Sequence, residues 1–131
     1  MYRDEAREFL KKPLVARISV VDPDGFPHTV PVWFMLDGDD IVVISVRGTK
    51  KVGYVAANSK GCAVIGGGPD DGGGYLIKGH WSIEPDTGAA WTRKITFHYE
   101  EPEQAAKDVA DWADLDMIVL RLRPTRVIKV A

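Results

Sequence analysis

LVARISVVDPDGFPHTVPVWFMLDGDDIVVISV, residues 14–46, decides the fold. The β-branched run Leu14–Asp22 ends at Pro23-Asp24-Gly25, which has the chemistry of a hairpin turn. A return strand over 27–36, PHTVPVWFML, ends at a second turn, Asp37-Gly38-Asp39-Asp40. Pro31 inside it predicts an edge strand or a bulge, because proline donates nothing to a ladder. The third run, Ile41–Val46, is apolar on both faces and so central. Strands this closely spaced pair antiparallel, and three of them in succession read as a meander, which argues against a doubly wound parallel sheet.

Outward from this stretch the pattern is sparser. Residues 3–12 predict a short helix with Ala6, Phe9 and Leu10 on one face, stopped by Pro13. Residues 50–58 predict a second helix, and Gly61–Gly66 a buried strand. GGGPDDGGG, residues 66–74, holds six glycines in nine positions and predicts a mobile, exposed loop. A strand follows over Tyr75–Ile83, then helices over 87–99 and 103–113 parted by Pro102. The last strand, Met117–Val130, is interrupted at Arg123-Pro124-Thr125. The fold class is mainly β with short peripheral helices: six or so antiparallel strands in a closed or partly closed barrel, residues 1–131 forming one domain.

Composition narrows the function classes. Seventeen basic and nineteen acidic residues give a net charge of −2, so nothing attracts nucleic acid globally. The single cysteine, Cys62, excludes an intramolecular disulfide framework. With a charged, non-apolar start and no run long enough for a membrane span, a cytoplasmic location is expected. His28, His80 and His98 lack metal-ligand spacing, so no metal is expected, and no nucleophile-elbow pattern occurs.

The most informative local feature is Arg47-Gly48-Thr49-Lys50-Lys51, between a strand and a helix, with Thr49 at the N-cap position. Lys50 and Lys51 in a first helical turn oppose the macrodipole at about 0.3–1 kcal/mol each. A bound anion reverses that sign and meets free N–H groups, a hydroxyl and three cations together. A solvated basic turn is the other reading. Trp33 and Phe34 are either core or a platform for a planar ring, and Trp81 beside His80 either core or a cleft wall. With no acid–base pair in view, a catalytic residue cannot be named, and any hard chemistry falls to a cofactor.

At this point the chain resembles the flavin- and deazaflavin-dependent split β-barrel oxidoreductases related to pyridoxamine 5′-phosphate oxidase. The resemblance is carried by residues 9–65, FLKKPLVARISVVDPDGFPHTVPVWFMLDGDDIVVISVRGTKKVGYVAANSKGCAVI, by the strand from Tyr75, and by 117–130, MIVLRLRPTRVIKV. It implies a split barrel and a homodimer with the cofactor at the subunit interface. It implies that Arg47, Gly48, Thr49, Lys50 and Lys51 hold the cofactor phosphate, Lys51 foremost. The ring then lies along Val30, Pro31, Val32 and Trp33 and along Ile44 and Ser45. The beginning and the RPTRV ending look more like the branch using coenzyme F-420, with flavin mononucleotide (FMN) as the alternative. Lys11, Lys12 and Arg17 serve either the acidic tail of that coenzyme or surface solubility. Nothing matches the substrate-binding C-terminal segment of the oxidases themselves, so that activity is not implied. The function expected is hydride transfer from reduced cofactor to a small-molecule acceptor. A carrier without turnover is the competing class; a haem protein would need His28 or His80 as axial ligand.

Overall fold

Asp22 shapes the first hairpin. Its Oδ1 accepts the N–H groups of Asp24 and Phe26, both at 2.9 Å, while Gly25 takes φ +86°. Only glycine enters that region without strain, so the sequence Pro-Asp-Gly turns the chain sharply. The computed structural model describes residues 1–131. The elements are α1 (Asp4–Leu10), β1 (Ala16–Val21), β2 (Pro27–Val32), β3 (Met35–Asp37), β4 (Asp40–Val46), α2 (Lys50–Ala57), β5 (Lys60–Gly66), β6 (Gly74–Pro85), a 3₁₀ turn at Thr87–Ala89, α3 (Ala90–Tyr99), α4 (Pro102–Asp111) and β7 (Met117–Lys129).

All pairings are antiparallel, in the order β2-β1-β5-β6-β7-β4-β3. The two edge strands, β2 and β3, are consecutive in the chain and separated only by Trp33 and Phe34. Three residue steps reach about 10 Å, whereas the edges of a flat seven-stranded sheet lie about 29 Å apart. The sheet therefore rolls until its edges meet, which makes a barrel with a seam at 33–34. Its interior is packed by Ile18, Val20, Phe34, Ile41, Val43, Ile65, Ile77, Trp81, Leu120 and Leu122, with α1 and α2 contributing Phe9, Leu10, Val52 and Val55. On the outside, α3 lays Ile95 against Val42 of β4 and Val119 of β7, flanked by Trp33, Trp91 and Tyr99. That arrangement accounts for the two apolar faces of β4. No helix is long and apolar enough to cross a membrane.

Two features differ from the expectation. The 27–36 run is not one strand, and the early strands do not form a three-strand meander: β4 pairs with β7 and β3, and β2 pairs with β1 alone. The physical reason is the seam. Phe34 turns into the core, and its N–H, lost to any ladder, donates to the Tyr99 hydroxyl at 3.1 Å. That hydroxyl donates in turn to the Leu14 carbonyl at 2.6 Å, and burial pushes its pKa up to about 12, so it keeps its proton. Pro31 does lie on an edge strand, opposite Arg17. The glycine-rich segment is the largely exposed β5–β6 hairpin loop, Gly66 pairing Gly74.

Candidate functional site

Where β4 runs into α2, Gly48 takes φ +95° and lets the chain reverse into the helix. Thr49 occupies the N-cap position but does not cap: its hydroxyl bonds the Ser45 hydroxyl at 3.2 Å. The N–H groups of Lys51 and Val52 have no backbone or side-chain acceptor, so this helix end presents bare donors. The Lys51 side chain is half-buried, has no carboxylate partner, and burial lowers its pKa below the ordinary lysine value.

Beside this helix end lies a cavity of about 360 Å³ lined by Val32, Trp33, Ile44, Ser45, Val46, Thr49, Lys51, Trp112, Leu115 and Met117. A second, of about 290 Å³, is lined by Val15, Pro31, Val32 and Trp33, and so shares two residues with the first. Trp33 is held by stacking on Tyr99, centroids 4.9 Å apart and planes 7° apart. The cavity is apolar except for two hydroxyls, one ammonium and the helix end. Such a set suits a flat apolar ring joined to an anion.

Of the residues singled out in the sequence, Val32, Trp33, Ile44, Ser45, Thr49 and Lys51 line one cavity, and Pro31 lines its neighbour. Val30 packs on the barrel core instead. Lys50 is exposed outside the cavity lining, and Arg47 turns away to Asp116, Nε–Oδ2 2.8 Å, its own N–H also donating to the Asp116 carbonyl at 2.9 Å. The three cations therefore do not converge; one does. Lys11 pairs with Glu8, Lys12 lies over the Phe9 ring, and Arg17 is exposed on β1, so these three do not form one group. Trp81 is core rather than cleft, donating its indole N–H to the Ser19 carbonyl at 3.1 Å. His80 is exposed and bonds Ser59. Sequence reasoning missed Val46, Trp112, Leu115 and Met117. Met117 stands opposite Val46 across the β4–β7 ladder, a pairing with no local signal.

Residues 2–131 match the sequence family described as pyridoxamine 5′-phosphate oxidase. The chain belongs to the pyridoxamine 5′-phosphate oxidase family. No curated protein matches its sequence. Among solved structures of this split-barrel fold, an F420 reductase is similar at TM-score 0.74 and 23% identity, over 93% of this chain and 94% of that one. A candidate pyridoxamine 5′-phosphate oxidase from Listeria innocua is similar at TM-score 0.73 and 21% identity, over 97% and 96%. HupZ from Group A Streptococcus is similar at TM-score 0.70 and 17% identity, over 99% and 94%. At these identities the likeness is one of fold.

Proposed function

We propose that this member of the pyridoxamine 5′-phosphate oxidase family is a coenzyme F-420-dependent reductase, FMN being the alternative cofactor, which passes a hydride to a small-molecule acceptor. The observation that carries the reading is Lys51: a half-buried ammonium without a carboxylate, beside bare helix donors, at the rim of an apolar cavity. An unpaired charge that gives up part of its hydration is costly unless an anion comes to it. The F420 reductase similarity supports the deazaflavin choice.

The residues divide the work by chemistry. Lys51 and the first-turn N–H groups hold a phosphate, and the Ser45 and Thr49 hydroxyls sit where a polyol would pass. Trp33, Ile44, Trp112, Leu115 and Met117 supply the apolar lining that excludes water from a planar ring. A bound F-420 or FMN supplies the hydride chemistry; this chain supplies orientation and a dry wall. The protein acts as a homodimer in the cytoplasm. Val15 and Leu115, both on cavity walls and both more than 40% exposed, favour a second subunit closing over the site.

The test is a fluorescence titration with F-420 and, separately, FMN, against wild type and Lys51→Ala. Selective binding of F-420, weakened about tenfold or more by Lys51→Ala, is the expected result, given that hydrogen bonds to charged groups contribute about 1.5–3 kcal/mol. Preference for FMN shifts the assignment to the alternative. If neither binds, or Lys51→Ala binds as wild type does, the reading fails. Turnover of the reduced cofactor with an activated alkene or quinone separates a reductase from a carrier.

A further inference from the structure

Val32 and Trp33 line both cavities, so the Trp33 indole is a wall common to the two. Trp33 is half-buried, and its indole N–H has no hydrogen-bond partner in the chain. Trp81 differs, its N–H being held by the Ser19 carbonyl at 3.1 Å. Without such a bond, packing alone fixes the two torsions that set the indole plane. Trp33 packs on the cluster of Val42, Ile95 and Val119, which fills space beside it without selecting one ring plane. Tyr99 does select one: the two rings lie 7° from parallel, with centroids 4.9 Å apart.

Tyr99 lines neither cavity, yet it touches the backbone beside both. It is the last residue of α3, and its hydroxyl reaches the Phe34 N–H at 3.1 Å and the Leu14 carbonyl at 2.6 Å. Those two anchors adjoin Trp33, which lines both cavities, and Val15, which lines the smaller one. The His98 ring meets Tyr99 edge-on, centroids 5.2 Å apart at 84°, which leaves the stacked face to Trp33. Ring and hydroxyl thus do separate work. The hydroxyl satisfies backbone groups at the seam, and the ring orients an indole.

We infer that Tyr99 is a positioning residue for the cofactor cavity, its ring holding the Trp33 indole as a wall already in place before a ligand arrives. A wall ordered in the free protein spares the ligand the entropy of ordering it, so the stack is expressed as affinity. The effect on affinity rests on the cofactor reading above, whereas the ordering of Trp33 belongs to the free protein. The two can therefore fail separately.

The experiment compares Tyr99→Phe with Tyr99→Leu. Both lack the hydroxyl, so the difference between them reports the ring alone. Both are expected to lower the urea midpoint, because the Phe34 N–H loses its acceptor. Titrated with F-420 or FMN, whichever wild type takes, Tyr99→Phe is expected to bind within about twofold of wild type. Tyr99→Leu is expected to bind about three- to tenfold more weakly, the range that aromatic pair energies imply. In a Trp33→Leu background, Tyr99→Leu is expected to cost less than about twofold more, because the residue it acts through is gone. Far-UV circular dichroism confirms that each variant is folded, and Tyr99→Met replaces Tyr99→Leu where that chain is not. The free protein is read by fluorine NMR with 5-fluorotryptophan at its four tryptophans, the Trp33 resonance being the one lost in Trp33→Leu. That resonance is expected to be single and sharp in wild type and Tyr99→Phe, and broadened or split in Tyr99→Leu. Tyr99→Phe binding as weakly as Tyr99→Leu, or an additive cost in the Trp33→Leu background, overturns the inference by making Tyr99 a purely structural residue. A Trp33 resonance that stays single and sharp in Tyr99→Leu overturns it whatever binds. If wild type binds neither cofactor, the cofactor reading fails and the resonance alone decides whether Tyr99 holds Trp33.

Discussion

Lys51 joins a charge to an apolar wall, and its protonation state governs what it can hold. Burial lowers its pKa below the ordinary lysine value, so it loses its proton at lower pH than a free lysine does. A bound phosphate favours the charged form and pushes the pKa back up. By linkage, affinity for F-420 or FMN falls as pH rises, and the fall begins earlier than an ordinary lysine would give. Binding titrations from neutral to alkaline pH test this: wild type shows the alkaline loss, and Lys51→Ala shows a weak, flat profile over the same range. The junction carrying Lys51 and Thr49 was legible in the sequence because strand, glycine and helix start are neighbours in the chain. The role of Arg47 was not legible. Its partner Asp116 is 69 residues away, and charge alone grouped it with the lysines.

The start of α3 shows how an element can be predicted while its anchoring is not. The chain enters it through two left-handed residues, Gly88 at φ +65° and Ala89 at φ +55°. Asp86 then reaches past them, accepting the N–H groups of Trp91 and Thr92 at 2.9 Å and the Thr92 hydroxyl at 2.6 Å. It caps the helix from outside the usual N-cap position. Asp86→Ala is expected to cost about 0.5–2 kcal/mol, read as a lower urea midpoint. Because α3 carries Tyr99, and Tyr99 stacks on Trp33, the same variant is expected to loosen the cavity wall. The sequence showed the helix through Trp91, Ile95 and Tyr99, which do share the face turned to β4 and β7. It did not show the break at Trp33–Phe34. Val32–Leu36 is an unbroken apolar run with no turn residue in it, and the hydroxyl that satisfies the freed N–H lies 65 residues downstream.

For the whole molecule the seam matters most, because there two sheet edges become one wall. Phe34 fills it from the inside and is almost wholly buried. Phe34→Ala is expected to destabilise the fold by about 3–5 kcal/mol in chemical denaturation, through lost burial and a cavity at the closure. Fold class was readable from hairpin chemistry, but strand order was not, since β1–β5 and β4–β7 join segments far apart in the chain. The order also gives β7 a singular position. It is the one strand between β6 and β4; without it the strands form two separate sheets, β2-β1-β5-β6 and β4-β3. Ribosomes deliver the chain from its N-terminus, so β7 emerges after every strand it must join. Until then the nascent protein holds two half-sheets with unpaired edges at β6 and β4, and barrel closure waits on a long-range pairing that is slow to form. The interval between those events is when this chain is most exposed to aggregation, and when a chaperone has the most to cover.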